Sequence, residues 1–462
     1  MAFSRLFGTS GVRGEIDKFL TPELVVKLSK AFAVFIGGSG TVAVGRDVRL
    51  HSRMLFEACV SGLLSGGVDV VDCGVIPTPT LLHVVKSYKL DGAVMITASH
   101  VPPQFGGVLF FHGDTAELGR DESKILEYFT FKEFKYNSST SLGKVVGLSV
   151  EEIFEVYLNS VTRLVNMKLV NSLGCQVILD LCNSAQSMFL PFIAREFGCK
   201  VFCINDFPNG YFPGRGADLH PKLLESTSRL LTKIKADFAL ATDGDGDRCL
   251  FIDDLGVILW GDIAGCLFAR EELLRKGGGI IVCPINTSNL ILHVTKELNG
   301  NVHFTRIGPP EIASSIKSLN SCVFAFEESG KYIWPENILY GDPALALGKL
   351  LEILSKYHTL SRAVEMFPRF HQVKYKVSCP NEIKERVLSY LKVKVLDFDY
   401  KEIIDIDGLK IIFEDNSWLL LRPSGTEPVF RVFSESLDAN YAKELALTGL
   451  NMVKEAIRKL SK

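Results

Sequence analysis

Long hydrophobic runs are missing from this chain of 462 residues. Nothing reaches the roughly 18 to 20 uninterrupted apolar residues that cross a bilayer, so no membrane span is expected. Cysteine is present but never paired in sequence. The eleven cysteines are odd in number and form no C-x-x-C, which speaks against a disulfide framework and a zinc ribbon and makes them small core residues of a reducing compartment. An excess of one charge is also lacking. A net charge of -2 offers no bulk attraction for nucleic acid or membrane, so any bound anion must be held locally. The opening MAFSRLFGTS has one arginine and no sustained apolar stretch, and the cytoplasm is the expected location. The absence of G-x-S-x-G and Walker A sequences leaves little support for acyl hydrolysis or P-loop chemistry.

What remains is an ordinary globular composition, 47% hydrophobic and 23% charged. At roughly 150 residues per domain the chain divides into about three or four domains. Three regions repeat one order of events: apolar strand, helical segment, strand, helical segment, strand, polar loop. The strands are TVAVGRD from Thr41, VDVVDCG from Val68 and GAVMITASH from Gly92; QVILDLCNS from Gln176, KVFCIND from Lys200 and DFALATDGDGDR from Asp237; GIIVCPINTS from Gly279, NVHFTRIG from Asn301 and CVFAFEESG from Cys322. Such βαβ units predict largely parallel sheets with right-handed crossovers and ligands just beyond the carboxyl ends of the strands. TASH, DGDGDR and EESG occupy those ends. After about residue 368 the pattern turns to period-two strands, QVKYKVS from Gln372 and VFRVFSE from Val429. A final helix presents Leu445, Met452, Val453, Ala456, Ile457 and Leu460 on one face, and together these predict an α+β unit. The fold class is therefore α/β: three mixed α/β domains and a C-terminal α+β domain, bounded at 1–150, 151–253, 254–367 and 368–462.

Each loop carries a chemistry and a plainer alternative. MITASHVPPQFGG sets Ser99 after an apolar strand and stiffens the next few residues with Pro102 and Pro103, presenting an exposed hydroxyl on a rigid loop. His100 is adjacent, but neighbours on an extended segment point to opposite sides, which argues against a hydrolase pair. DGDGDR places Asp243, Asp245 and Asp247 at alternate positions of a turn. Two like charges at roughly 4 Å repel by about 4 kcal/mol at an effective dielectric near 20, so converging carboxylates need a cation or must splay into water. Oxygen ligands indicate Mg²⁺ or Ca²⁺. An EF-hand fails because Arg248 holds the position that requires glycine and a strand precedes the loop; Arg248 suits a phosphate site instead. RPSGTEP offers Arg422, Ser424, Gly425 and Thr426, with Arg431 shortly after, and reads as a phosphate cradle or a capped Pro-Ser-Gly turn. FEESGKY gives Glu327, Glu328 and Ser329 as acceptors for hydroxyl groups, or a solvated loop. FGTSGVRG, with Arg13, resembles an anion nest or a hairpin turn. A serine, a metal loop and phosphate loops together are equipment for phosphoryl transfer.

The ordered set FGTSGVRG, VGRDVR, PTP, TASHVPP, NSA, PGRG, DGDGDR, EESG and RPSGTEP, spread over essentially the whole chain, resembles the α-D-phosphohexomutase family of phosphoglucomutases, phosphomannomutases and phosphoglucosamine mutases. The resemblance implies a four-domain, heart-shaped enzyme with one loop from each domain in a central cleft. It makes Ser99 the phosphoryl carrier and, with Asp243, Asp245 and Asp247, a ligand of Mg²⁺, with His100 and Arg248 at the reaction centre. RPSGTEP, Arg431 and Arg13 would grip phosphate, and Glu327, Ser329 and Lys331 the sugar. The implied substrate is an aldohexose phosphate, of glucosamine, mannose or glucose, and the implied intermediate or activator a hexose 1,6-bisphosphate. Several positions depart from the family pattern. Val101 and Gly106 replace asparagines, Leu109 a lysine near the serine, Lys331 a histidine and Pro310 a lysine. A weakened sugar-phosphate-binding paralogue, or a mutase redirected to a pentose phosphate, stands as the alternative. No feature of the sequence specifies an oligomeric state.

Overall fold

Thr41–Arg46 lies between Asp69–Val75 and Gly92–Ile96 and pairs in parallel with both. The same arrangement recurs twice: Gln176–Asp180 lies between Lys200–Ile204 and Phe238–Thr242, and Gly279–Pro284 between Gly300–Thr305 and Cys322–Glu327. In each unit the first strand is therefore central, and the third ends beside it at the functional loop. The computed structural model describes residues 6–132, 141–425 and 427–461.

The sheets are less parallel than expected, because each third strand turns back on itself. Phe105–His112 runs antiparallel to Gly92–Ile96, Cys249–Ile252 to Phe238–Thr242, and Lys331–Ile333 to Cys322–Glu327. TASH, DGDGDR and EESG are thus the tips of antiparallel turns. The return strands are covered on both faces, so FGGVLFFH and CLFI show no polar alternation that would mark them. Ile258–Leu259, which a boundary at 253 assigns to the third unit, pairs with Cys249–Ile252 and so belongs to the second sheet. The two-residue strand is too short to leave a periodic signal.

The C-terminal unit is the expected α+β structure, a five-stranded antiparallel sheet ordered His371–Ser378, Val429–Ser436, Trp418–Pro423, Leu409–Ile412, Glu402–Ile404. Helix Ala439–Leu460 buries Leu445, Val453 and Ala456, with Met452, Ile457 and Leu460 partly covered beside them. RPSGTEP joins two neighbouring strands of this sheet.

Apolar packing groups the four units unequally. One continuous core, including Leu81, Tyr157, Phe189, Phe268 and Trp334, runs through the first three. The C-terminal unit has its own, built around Leu391, Leu419 and Val453. Asp342 ties the first group together. Its carboxylate caps helix Pro343–Tyr357, accepts from Tyr157 Oη at 2.7 Å and Asn337 Nδ2 at 2.8 Å, and lies 2.8 Å from His83 Nε2. Burial alone would raise the Asp342 pKa, but His83 and the other donors hold it below the usual value. Asp342→Ala leaves these buried donors without an acceptor and is expected to cost about 3 to 5 kcal/mol. Denaturant titration by far-UV circular dichroism, reading the midpoint of the first transition, checks this; an unchanged midpoint would mean that Asp342 does not hold the units together. Among the described residues no helix is long and apolar enough to cross a membrane.

Candidate active site

Ser99 has a left-handed backbone, φ 53°, a conformation that costs a non-glycine residue and must be held by its surroundings. Thr97 supplies part of the hold: Ser99 N donates to Thr97 Oγ1 at 2.9 Å, and that hydroxyl donates to Asp47 Oδ2 at 2.8 Å. The turn changes two expectations. Ser99 is not exposed but 1% accessible. His100 does not point away, because the segment is not extended there, and its Nδ1 lies 3.4 Å from Ser99 Oγ. Ser99 Oγ also donates to Asp243 Oδ2 at 3.1 Å, which brings the serine loop onto the acidic loop. The Arg248 charge and burial, with help from Arg13 and Lys331, hold the His100 pKa well below its usual value, so the imidazole is neutral near pH 7.

Asp243, Asp245 and Asp247 converge as the alternate spacing predicts, one carboxylate oxygen from each lying within 4.8 Å of the others. They are buried, and Asp245 Oδ1 and Asp247 Oδ1 find no hydrogen-bond partner among the described residues. Burial and the neighbouring carboxylates push the Asp243 pKa well up and that of Asp245 up to about 6. Orphaned, mutually repelling carboxylate oxygens fit a hard divalent cation, as the Mg²⁺ expectation requires. Glycines permit the crowding: a Cβ on Gly244 would stand 2.5 Å from Ser99 O, and one on Gly246 2.3 Å from Gln186. Arg248 Nε lies 3.8 Å from both Asp243 Oδ2 and Asp247 Oδ1 and is buried without a hydrogen-bond partner among the described residues, a donor available to an anion.

Lys331 is placed otherwise than its loop suggested. It is 2% accessible, donates to Asp247 Oδ2 at 2.8 Å and sits 4.0 Å from the centre of the Tyr340 ring, inside the acidic cluster. Strand Lys331–Ile333 turns it inward because every residue of that strand is buried. Glu327 and Ser329 stay together at the loop tip, Ser329 Oγ donating to Glu327 Oε2 at 3.1 Å. Glu328 instead pairs with Lys374 of the C-terminal unit at 2.5 Å. Arg13 donates to Ser10 Oγ at 3.3 Å, and Ser10 donates to Glu117, a buried carboxyl that also accepts from Tyr340 Oη at 3.3 Å. Burial pushes the Glu117 pKa up to about 7 despite the cations Lys331 and Arg13 nearby.

The fourth loop faces the N-terminal one across a cavity of about 180 Å³ lined by Gly8, Thr9, Lys384, Arg422, Ser424 and Gly425, among others. Thr9 is the meeting point. A Cβ on Gly425 would lie 3.3 Å from its Oγ1, and one on Gly308 2.7 Å from its Cγ2. Arg422 is braced by Asp407 at 2.8 Å, and Arg431, opposite it in the ladder, pairs with Glu427 at 2.5 Å. Ser424 Oγ accepts from Glu427 N at 3.2 Å. Thr426 lies outside the described residues. Arg13 and Arg431 do not line the cavity.

Three of the departures from the family pattern fall in the first unit's core and loop, while Lys331 and Pro310 lie in the third unit. Leu109 is fully buried opposite Met95, Gly106 pairs with Gly14, and Val101 supports the loop through its backbone, its carbonyl accepting from Arg49 and its N–H donating to Ala98 O at 3.3 Å. Several site residues have no role readable from spacing. Thr78 of PTP donates its hydroxyl to Asp245 Oδ2 at 3.0 Å, Gln186 holds Gly246 O at 2.8 Å, and Lys384 holds Ser424 O at 2.6 Å. Arg49 and Arg215 lie beneath the serine and acidic loops. PTP, VGRDVR and PGRG were the available signals; Lys384 and Gln186 have none.

Four domain models of phosphoglucomutase/phosphomannomutase match in order: alpha/beta/alpha domain I at residues 4–137, domain II at 155–256, domain III at 260–370 and the C-terminal domain at 375–448. The chain belongs to this family, and it is an isomerase of the phosphohexomutase class. It is 34% identical to a phosphoglucomutase/phosphomannomutase of Thermococcus kodakarensis, covering 98% of this chain and 99% of that one. It is 35% identical to a phosphoglucosamine/phosphogalactosamine mutase of Sulfurisphaera tokodaii, over 96% and 97%. A solved family protein from Burkholderia thailandensis superposes with a TM-score of 0.86 at 24% identity, covering 99% and 98%, which shows the shared fold.

Proposed function

We propose that this chain is a Mg²⁺-dependent mutase that moves a phosphoryl group between the 6- and 1-positions of an aldohexose phosphate through a phosphoserine at Ser99. The observation that carries the reading is Ser99 Oγ at 3.1 Å from Asp243, the first carboxylate of a three-aspartate cluster. Asp243, Asp245, Asp247 and the Ser99 oxygen would hold Mg²⁺, which neutralises phosphoryl charge when bound. The sugar hydroxyl attacks phosphorus, its proton passes to a base, and the bond from phosphorus to Ser99 Oγ breaks. His100, neutral and 3.4 Å from that oxygen, is placed to exchange the proton. Arg248 and Arg13 offer donors to the phosphoryl oxygens. The bisphosphate turns over in the cleft and returns its other phosphate to Ser99. Arg422, Ser424 and Gly425 grip the unreactive phosphate at the remote cavity, which holds either sugar phosphate in line. Glu327 and Ser329 meet sugar hydroxyls. Lys331 serves from beneath, as a counter-charge to Asp247. The units at 1–150, 151–253 with the added strand to Leu259, 260–367 and 368–462 each contribute a loop, and the first adds the N-terminal loop at Gly8 and Thr9. The names of the relatives favour glucosamine phosphate as the sugar, with glucose, mannose and galactosamine phosphates named beside it. Incubation with Mg²⁺ and glucose 1,6-bisphosphate, followed by intact mass and peptide mapping, is expected to place one phosphoryl group on Ser99. A Ser99 left bare across several sugar bisphosphates would overturn this and favour the binding paralogue.

A further inference from the structure

Beneath the serine loop and the acidic loop lie two buried aspartate–arginine pairs, each at the carboxyl end of the strand that lies between the other two parallel strands of its unit. Arg49 pairs with Asp47 just after Thr41–Arg46, and Arg215 with Asp180 at the end of Gln176–Asp180. We propose that Arg49 and Arg215 are positioning residues that set the serine and acidic loops, and that the segment joining them, residues 209–217, fixes the two loops relative to each other.

A guanidinium has five N–H donors in a rigid plane. Arg49 uses all five. Nε donates to Asp47 Oδ2 at 3.0 Å, Nη1 to Pro102 O at 2.7 Å and Phe105 O at 3.2 Å, and Nη2 to Ser99 O at 2.7 Å and Val101 O at 2.6 Å. Four carbonyls of the serine loop are gathered on one side chain that has no solvent exposure. The same Asp47 oxygen accepts from Thr97, whose hydroxyl holds Ser99 N. The nucleophile's carbonyl and amide are thus both referred to one aspartate–arginine pair. Arg215 does the corresponding work in the second unit. Nε donates to Asp180 Oδ2 at 2.9 Å, Nη1 to Asp218 O at 2.7 Å, and Nη2 to Thr242 O at 2.5 Å, the residue before Asp243. Thr227 and Asn205 fill further positions on Asp180.

The connecting segment touches both sites. The Phe212 ring lies 5.0 Å from the Arg49 guanidinium, and Arg215 follows three residues later. Ala217 O accepts from Gly244 N at 3.1 Å, inside the acidic loop. Gly210 packs so closely on the first unit that a Cβ there would stand 2.5 Å from Val48 O. Neither arginine reaches the reacting groups themselves. Burying two ion pairs is not an efficient way to gain stability, because desolvation offsets most of their attraction. A fixed fork of donors does specify where a backbone turn sits, and a misplacement of about 1 Å at a reacting centre costs on the order of 100-fold in rate.

The inference rests on the reading of Ser99 as phosphoryl carrier, and its test separates the two. Arg49→Lys and Arg215→Lys keep the charge but lose the fork. Three readouts are compared with the full-length native chain: hydrogen exchange of the two loops by mass spectrometry, Mg²⁺ affinity by calorimetry, and the rate of Ser99 phosphorylation by glucose 1,6-bisphosphate. Arg49→Lys is expected to speed exchange across residues 98–106 but not 240–248, and to slow phosphorylation by about 100-fold with Mg²⁺ affinity nearly unchanged. Arg215→Lys is expected to speed exchange across 240–248 and weaken Mg²⁺ binding by about 10- to 100-fold. Phe212→Leu, which leaves every polar bond intact, is expected to speed exchange in both loops. Unchanged exchange in the targeted loops, or losses in all readouts that merely track a fall in melting temperature, would overturn the proposal. A native chain that is never phosphorylated refutes the reading of Ser99 instead, while exchange and Mg²⁺ affinity still decide on the arginines.

Discussion

Ser99→Ala is expected to abolish turnover, lowering kcat by on the order of 10⁴-fold or more, because Ser99 Oγ is the proposed phosphoryl carrier and lies between Asp243 and His100, whereas the other hydroxyl on the acidic cluster, Thr78 Oγ1, is turned onto Asp245. The substitution removes one oxygen and little else. The alanine keeps the backbone N–H that donates to Thr97 and the carbonyl that accepts from Arg49, so the loop retains its supports. The strained left-handed backbone is also kept, and alanine tolerates it no worse than serine. The melting temperature should therefore change little while the activity disappears. A coupled assay on glucosamine 6-phosphate and mannose 6-phosphate, run beside a thermal melt, checks both halves. Normal turnover would refute the phosphoserine mechanism outright.

Asp245→Asn is expected to lower kcat by on the order of 10³-fold, the equivalent of a few kcal/mol of lost charge stabilisation. Its pH behaviour adds a second, independent expectation. Without metal, the Asp245 pKa is raised from 3.8 to about 6 by burial and by Asp247. The folded apo protein then holds a proton that the unfolded chain has released, so apo stability falls as pH rises from about 4 to about 6. A cation must displace that proton. Mg²⁺ affinity is expected to weaken as pH drops below about 6, with proton release on binding. Asparagine removes this titration, so the variant should bind weakly and lose that part of the pH dependence. Calorimetry in buffers of different ionisation enthalpy measures both quantities, and a native affinity that is flat between pH 5 and 7 would contradict the assignment.

Much of this site could be read from the chain because strand ends and glycine-relieved acidic turns leave local signatures. Asp243, Asp245 and Asp247 converge as their spacing requires, and all three polar third-strand ends lie where a central-strand-first α/β unit puts its ligands. Long-range geometry left no such trace. The side of the chain on which His100 lies depends on a positive φ at Ser99, and nothing about a serine announces one. Lys331 reads as a loop cation, but a three-residue buried strand carries it to Asp247, 84 residues away in sequence. Arg422 looked like a free phosphate ligand, whereas Asp407 holds its Nε and leaves only part of the guanidinium to bind an anion. Arg49 was visible only as a letter in VGRDVR. Its five acceptors are four carbonyls and one carboxylate, and carbonyls are the same in every residue.

The shared core of the first three units also determines when the molecule can be finished during synthesis. Domains ordinarily close in order as they leave the ribosome. Here Tyr157 waits for an acceptor 185 residues downstream, and His83 for the same carboxylate 259 residues downstream. The nascent chain must therefore carry three sheets with their common apolar faces unmatched until helix Pro343–Tyr357 emerges, and then complete them together. The C-terminal unit, with a core of its own, and the second core of the first unit, built from Phe7 to Leu126, need not wait for that helix.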